Sequence, residues 1–143
     1  MIIKWRNRAG VLVFKHDVVP EFFAGGKDGE LIEAVNFYQK AVFDYPEIEP
    51  LLFHVVNEGR RTYQTGQLLK QSGMKKGVSD YILLKPSGKY SYACIEIKRA
   101  DGGNGGDKEQ KSFLLDCEAN GGFACIANGE ECAMAALKEY LIN

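Results

Sequence analysis

An α/β fold with a mixed sheet is what this sequence predicts. Three observations predict it. Apolar positions recur at helical spacing over residues 30–44 and 130–141. Short runs rich in β-branched and aromatic residues, at 90–98 and 123–127, lie between them. Glycine- and proline-bearing turns separate the two kinds of segment. The length, 143 residues, suits one domain, and a single domain over 1–143 is expected.

Taken in order, residues 1–26 are the least legible. Val11, Leu12, Val13 and Phe14 suggest a short strand, and Gly25-Gly26 marks a break. A helix is expected over 30–44 from the spacing of Leu31, Ala34, Val35, Tyr38, Ala41 and Val42. Pro46 and Pro50 end it, because proline disfavours helical geometry in the residue before it. Residues 51–56 read as a buried strand, with His54 as a hydrogen-bonded core histidine. Glycines at 59, 66, 73 and 77 break up the next stretch, leaving a helical turn or two at 65–71. Strands at 78–84 and 90–98 flank the turn Pro86-Ser87-Gly88. After the glycine-rich loop 101–106, a helix from near Asp107 buries Phe113, Leu114 and Cys117. A strand at 123–127 and a helix at 130–141, with Met134, Leu137 and Leu141 on one face, complete the chain.

Composition excludes several classes. The chain is 45% hydrophobic and 26% charged, with net charge −1, which fits neither a disordered tail, nor a collagen-like repeat, nor a dedicated polycation. No apolar run approaches the ~20 residues of a membrane span. Lys4, Arg6 and Arg8 interrupt the start, so no secretory leader is read there. Cys94, Cys117, Cys125 and Cys132 form no CxxC pair; they read as buried thiols in a reducing cytoplasm rather than as a zinc site.

The net charge conceals an uneven distribution. Residues 59–100 hold nine basic side chains and two acids, Asp80 and Glu96, whereas residues 17–58 hold nine acids and two lysines. If the hairpin turns at Gly88, residues whose numbers sum to about 176 face each other, so Asp80 lies opposite Glu96. Lys98 then shares their face, since strand side chains alternate. Two adjacent carboxylates repel each other and are costly to desolvate. A hard divalent cation, Mg²⁺ or Mn²⁺, relieves both problems. A metal held there can activate water and polarise a phosphoryl oxygen. The competing reading is a structural salt bridge across the hairpin. Context favours chemistry: a metal-dependent phosphodiesterase needs cations for the backbone and carboxylates for the metal.

These residues resemble the PD-(D/E)xK nuclease superfamily, and more closely its virus-type replication-repair nuclease (VRR-NUC) family in the short, stand-alone, phage-type form. The matching elements are Asn57-Glu58-Gly59-Arg60-Arg61, Leu68-Leu69-Lys70-Gln71-Ser72-Gly73, Gly77-Val78-Ser79-Asp80, Ile95-Glu96-Ile97-Lys98 and Gln110. They extend over roughly 30–141; residues 1–26 have no counterpart, and their role is open. Ser79 stands where the family has proline, which bears on strand entry rather than on the ligand. The resemblance implies a restriction-endonuclease-like core and a metal-dependent endonuclease cutting branched DNA such as four-way (Holliday) junctions. It also implies a homodimer, and the host bacterial cytoplasm if the chain is phage-encoded. Asp80, Glu96 and the Ile97 carbonyl would hold Mg²⁺ or Mn²⁺, Lys98 would be catalytic, and Gln110 would support the site. A carboxylate from the first helix commonly completes such sites; Glu30 is assigned, ahead of Glu33 and Asp28.

Arg60, Arg61, Lys75 and Lys76 are the expected phosphate contacts, with a solvated loop face as the competing reading. Tyr63 stacks on a base or packs locally. The glycines at 102, 103, 105 and 106 lack the GK(S/T) of a P-loop and are read as a flexible flap beside the site. Trp5, Arg6 and Arg8 form a basic-aromatic cluster that extends a DNA surface or a dimer contact. Two rivals remain: a flap, end-processing or restriction-type nuclease, and a non-catalytic DNA-binding module.

Overall fold

The two most apolar strands lie at the centre of the sheet. β5 (Tyr92–Lys98) and β6 (Gly122–Asn128) run parallel, with Ile95 opposite Cys125 and Glu96 opposite Ile126. Strands covered on both faces carry near-continuous apolar runs. In the computed structural model, which describes residues 1–56 and 62–142, six strands form one sheet in the order β1-β2-β6-β5-β4-β3. β4 (Tyr81–Leu83) and β3 (Leu52–His54) extend one side antiparallel. On the other side β2 (Leu12–His16) pairs parallel with β6, and β1 (Ile2–Arg6) pairs antiparallel with β2.

Alternation along β5 and β6 divides the core into two layers. Ala93, Ile95 and Ile97 with Phe123, Cys125 and Ala127 face α1 (Gly29–Asp44) and α4 (Glu130–Leu141), meeting Phe37, Ala41, Leu137 and Tyr140. Cys94, Ala124 and Ile126 face α3 (Lys108–Ala119), meeting Leu114 and Cys117. Glu96 and Lys98 alternate in register with Cys94, so they lie on the α3 face. The expected mixed sheet flanked by helices is therefore the fold observed. The four cysteines are buried and free, and no group of three or more His, Cys, Asp or Glu side chains among the described residues gathers around a common point for a metal.

Several expectations are corrected. The N-terminal segment forms two strands, not one, and β1–β2 joins the sheet beside β6. β1 was not read because its outer residues Lys4, Trp5 and Arg6 are exposed, as suits an edge strand. Helix α1 forms, but its buried face is Glu33, Ala34, Phe37 and Ala41, while Leu31 and Val35 are exposed. Apolar residues nearly encircle α1, so spacing finds the helix without choosing its face. Residues 46–51 form a 3₁₀ turn with Ile48 fully buried, which shortens the following strand to β3. His54 is exposed and stacked on the Tyr81 ring at 5.0 Å, not a hydrogen-bonded core residue. The helix read at 65–71 is longer, α2 (Tyr63–Gln71), because the Thr62 hydroxyl accepts from the Thr65 N–H as an N-cap.

Candidate active site

The hairpin places the first three residues. Tyr81 pairs with Ile95 and Ile82 with Cys94, the register in which Asp80 faces Glu96. Asp80 lies one residue before β4, and its Oδ2 accepts the Ile97 N–H at 2.7 Å, where the ladder has run out of backbone partners. Glu96 and Lys98 project from β5 into the same space, both 3% exposed.

Gln110 comes from the first turn of α3, fixed by a capping box. The Asp107 carboxylate accepts the Gln110 N–H at 2.8 Å, and Gln110 Oε1 accepts the Asp107 N–H at 3.0 Å. The same Oε1 accepts Lys98 Nζ at 3.0 Å, and Nε2 donates to Glu96 Oε2 at 3.2 Å. An amide both donates and accepts, so one side chain caps a helix and holds an ammonium and a carboxylate together.

Glu30 approaches from α1, with its carboxylate 3.5 Å from Lys98 Nζ. Tyr81 helps set this approach: its hydroxyl donates to the Ala34 carbonyl at 3.1 Å, one turn along from Glu30. The other two acids considered in this region lie elsewhere. Glu33 is buried and accepts the Glu130 N–H at 2.5 Å, capping α4 where Gly129 offers no side chain. Asp28 stands at the N-cap of α1 without a side-chain cap bond.

Electrostatically, Glu96 is the uncomfortable member. Burial first, and then the Asp80 charge, push its carboxyl up to about 9, against the pull of Lys98 at 3.4 Å. Its Oε1 is buried with no hydrogen-bond partner. A buried carboxyl oxygen left without a partner beside a second carboxyl group suits a divalent cation, which would displace the proton that burial holds there, and Mg²⁺ is commonly held by one or two carboxylates, with water and phosphate oxygens completing its octahedron. The donor set fits such an ion. The space in front is a cavity of about 400 Å³ bordered by Glu30, His54, Asp80, Glu96, Lys98 and Gln110.

Two further residues, His54 and Gly77, shape this region. His54 borders the cavity on the β3 side. Gly77, at φ +82°, lies so close to α3 that an added Cβ would sit 2.4 Å from the Glu109 carbonyl carbon and 2.7 Å from the Gln110 nitrogen. Its place before Val78 and Asp80 was visible, but its contact across the fold was not. Ser79, fully buried, donates its hydroxyl to the Tyr81 carbonyl at 3.1 Å.

Lys75 and Lys76 are exposed in the segment between α2 and β4, and Tyr63 is 79% exposed at the start of α2. Arg60 and Arg61, with the 57–61 motif, lie outside the described residues. Trp5 and Arg8 border a separate cavity, whereas Arg6 is bound to Glu118 at 2.7 Å, so the expected three-residue cluster is divided.

The fold has a known counterpart. A solved structure described as a VRR_NUC domain protein superposes with a TM-score of 0.70, covering 82% of this chain and 91% of that one at 20% sequence identity. No family model and no curated protein matches the chain.

Proposed function

We propose that this chain is a VRR-NUC nuclease: a Mg²⁺- or Mn²⁺-dependent endonuclease that hydrolyses phosphodiester bonds in branched DNA, four-way junctions being the expected substrate. The observation that carries the reading is the convergence of Asp80, Glu96, Lys98 and Gln110, with one buried Glu96 oxygen left unpaired. The shared fold supports it.

Asp80 and Glu96 would hold the ion. In a strand, the N–H and C=O of one residue point to the same side. The Ile97 carbonyl therefore faces the edge where its N–H meets Asp80, beside the carboxylate pair. A bound divalent ion would supply Lewis-acid polarisation of the phosphoryl oxygen and a more acidic water. Lys98, steadied by Gln110 and Glu30, orients the attacking water and offsets charge growing on the phosphoryl oxygens. The water oxygen would bond to phosphorus in line with the departing sugar oxygen, releasing one proton to solvent, while the sugar oxygen takes one proton from solvent as its bond to phosphorus breaks. Lys75 and Lys76, with Arg60 and Arg61, hold the backbone. We read 1–143 as one nuclease domain acting as a homodimer, each subunit cutting one strand.

The test is cleavage of labelled four-way junctions by purified protein with Mn²⁺ and with chelator, read beside the mass in solution. Metal-dependent nicked duplexes are expected, and Asp80→Ala and Lys98→Ala should each lower the rate by about 10²-fold or more. Undiminished cleavage by both variants refutes the site. Preference for linear or flap DNA refutes junction selectivity and keeps the nuclease. Absence of both cleavage and divalent-metal binding identifies a binding module.

A further inference from the structure

A second cavity, about 460 Å³, opens on the same face of the sheet and has no part in the reaction above. Strand register places it there. Glu96 pairs with Ile126, Ile126 with Val13 and Val13 with Trp5, and cross-strand partners share a face. The N-terminal hairpin and the 101–106 loop form its walls.

Its charged lining is entirely cationic. Arg8, Lys15 and Lys111 border it, no carboxylate does, and none of the three forms an ion pair among the described residues. The Trp5 ring is 45% exposed, and Lys15 Nζ lies 4.6 Å from its centroid. A phosphate entering the cavity meets an ammonium whose partner is only a π face; drawing Lys15 away uncovers the indole for a base. Asn104 and Asn128 add side-chain amides.

The glycine-rich loop does not act as an anion nest. The N–H groups of Gly102, Gly103, Gly105 and Gly106 donate to Arg99 O, Asp101 Oδ1, Gly102 O and Asn104 Oδ1. The cationic groups left to meet an anion in this cavity are therefore the side chains of Arg8, Lys15 and Lys111. What the loop provides is a thin partition. A Cβ on Gly106 would lie 3.3 Å from Gln110 Oε1, on the carboxylate site, and 3.5 Å from Ile126 Cδ1, in the second cavity.

We propose that this cavity binds the DNA strand where it leaves the carboxylate site, with phosphates on Arg8, Lys15 and Lys111 and an unpaired base stacked on Trp5. The inference rests on the nuclease reading for the identity of the strand. Neighbouring strands are ~4.8 Å apart, so the two steps from β5 to β2 span about 10 Å, a distance that a few linked nucleotides bridge. Stacking tolerates any base, so the cavity contributes grip on single-stranded or frayed DNA without sequence preference.

Trp5 is the only tryptophan in the chain, so tryptophan fluorescence reports on this cavity directly. The full chain, in chelator and at low salt, is titrated with an oligothymidylate of about 12 nucleotides. Saturable quenching is expected, with Arg8→Glu and Lys111→Glu each weakening it about tenfold in protein whose circular dichroism is unchanged. Thymidine monophosphate at equal phosphate concentration should quench little. No quenching by the oligomer, quenching indifferent to both substitutions, or equal quenching by the monophosphate would each overturn the proposal. Since neither metal nor cleavage enters the measurement, a protein that quenches but never cuts refutes the reaction alone. One that cuts without quenching refutes this cavity alone.

Discussion

Replacing Glu96 by glutamine should stabilise the metal-free protein while abolishing its chemistry. The carboxylate is 3% exposed, one oxygen has no partner, and Asp80 stands beside it. Burial first, then that neighbouring charge, raise its pKa to about 9, against roughly 4.3 in an unfolded chain. Between these values the folded protein keeps a proton that the unfolded chain has released, so stability falls as pH rises through that window. Glutamine keeps an oxygen for Gln110 and Lys98 and presents an N–H₂ toward Asp80. Glutamine never ionises, so it removes the cost of holding that proton, on the order of 1–3 kcal/mol or more at pH 8. The weaker hold on Lys98 takes back part of this, leaving a gain of about 1–2 kcal/mol at pH 8. For a chain of this size that is roughly 3–8 °C in Tm. Thermal melts of both proteins in chelator from pH 5 to 9 should nearly coincide at the acid end and separate toward alkaline pH. Saturating Mg²⁺ should then raise the Tm of the native chain and leave Glu96→Gln unmoved, because only a site present in the folded state transmits ligand binding into stability. A variant less stable than the parent at pH 8, or a gap that does not change with pH, would refute the reasoning.

The remaining predictions concern the supports of the site. Gln110→Ala removes half of the capping box and the acceptor that holds Lys98, and should cost about 1–2 kcal/mol in urea denaturation. Under the proposed reaction, cleavage in the junction assay should fall further than that loss of folded protein explains, and equal losses would make Gln110 a helix cap only. Gly77→Ala forces a side chain into the backbone of α3 at a positive φ, and should destabilise the fold by about 2 kcal/mol or more. Gly66→Ala, mid-helix with open space around its Cβ position, is the matched control and should be neutral or stabilising by a few tenths to about 1 kcal/mol.

What could be read in sequence order was whatever depends on local period and on antiparallel pairing across a short turn. The class of fold and helix α4 follow from local period, and the Asp80–Glu96 pairing from counting across the turn near Gly88, although β4 is confined to Tyr81–Leu83 and the Ser87–Tyr90 bridge at the turn lies one residue out of step with the β4–β5 register. Glu30's approach to Lys98, Glu33's diversion to cap α4 and the buried face of α1 do not. Each depends on how a helix with apolar residues on several sides is rotated against the sheet, and contacts with distant strands decide that. The N-terminal hairpin shows the same limit. Its residues pair with β6, more than a hundred positions away, and only that pairing brings Trp5, Arg8 and Lys15 to the wall of a cavity shared with Lys111. The sequence by itself determined which chemical groups are available and which pair across the hairpin. Tertiary structure decided which of them share one buried, low-dielectric space, and burial is what turns Glu96 from an ordinary acid into a candidate metal ligand.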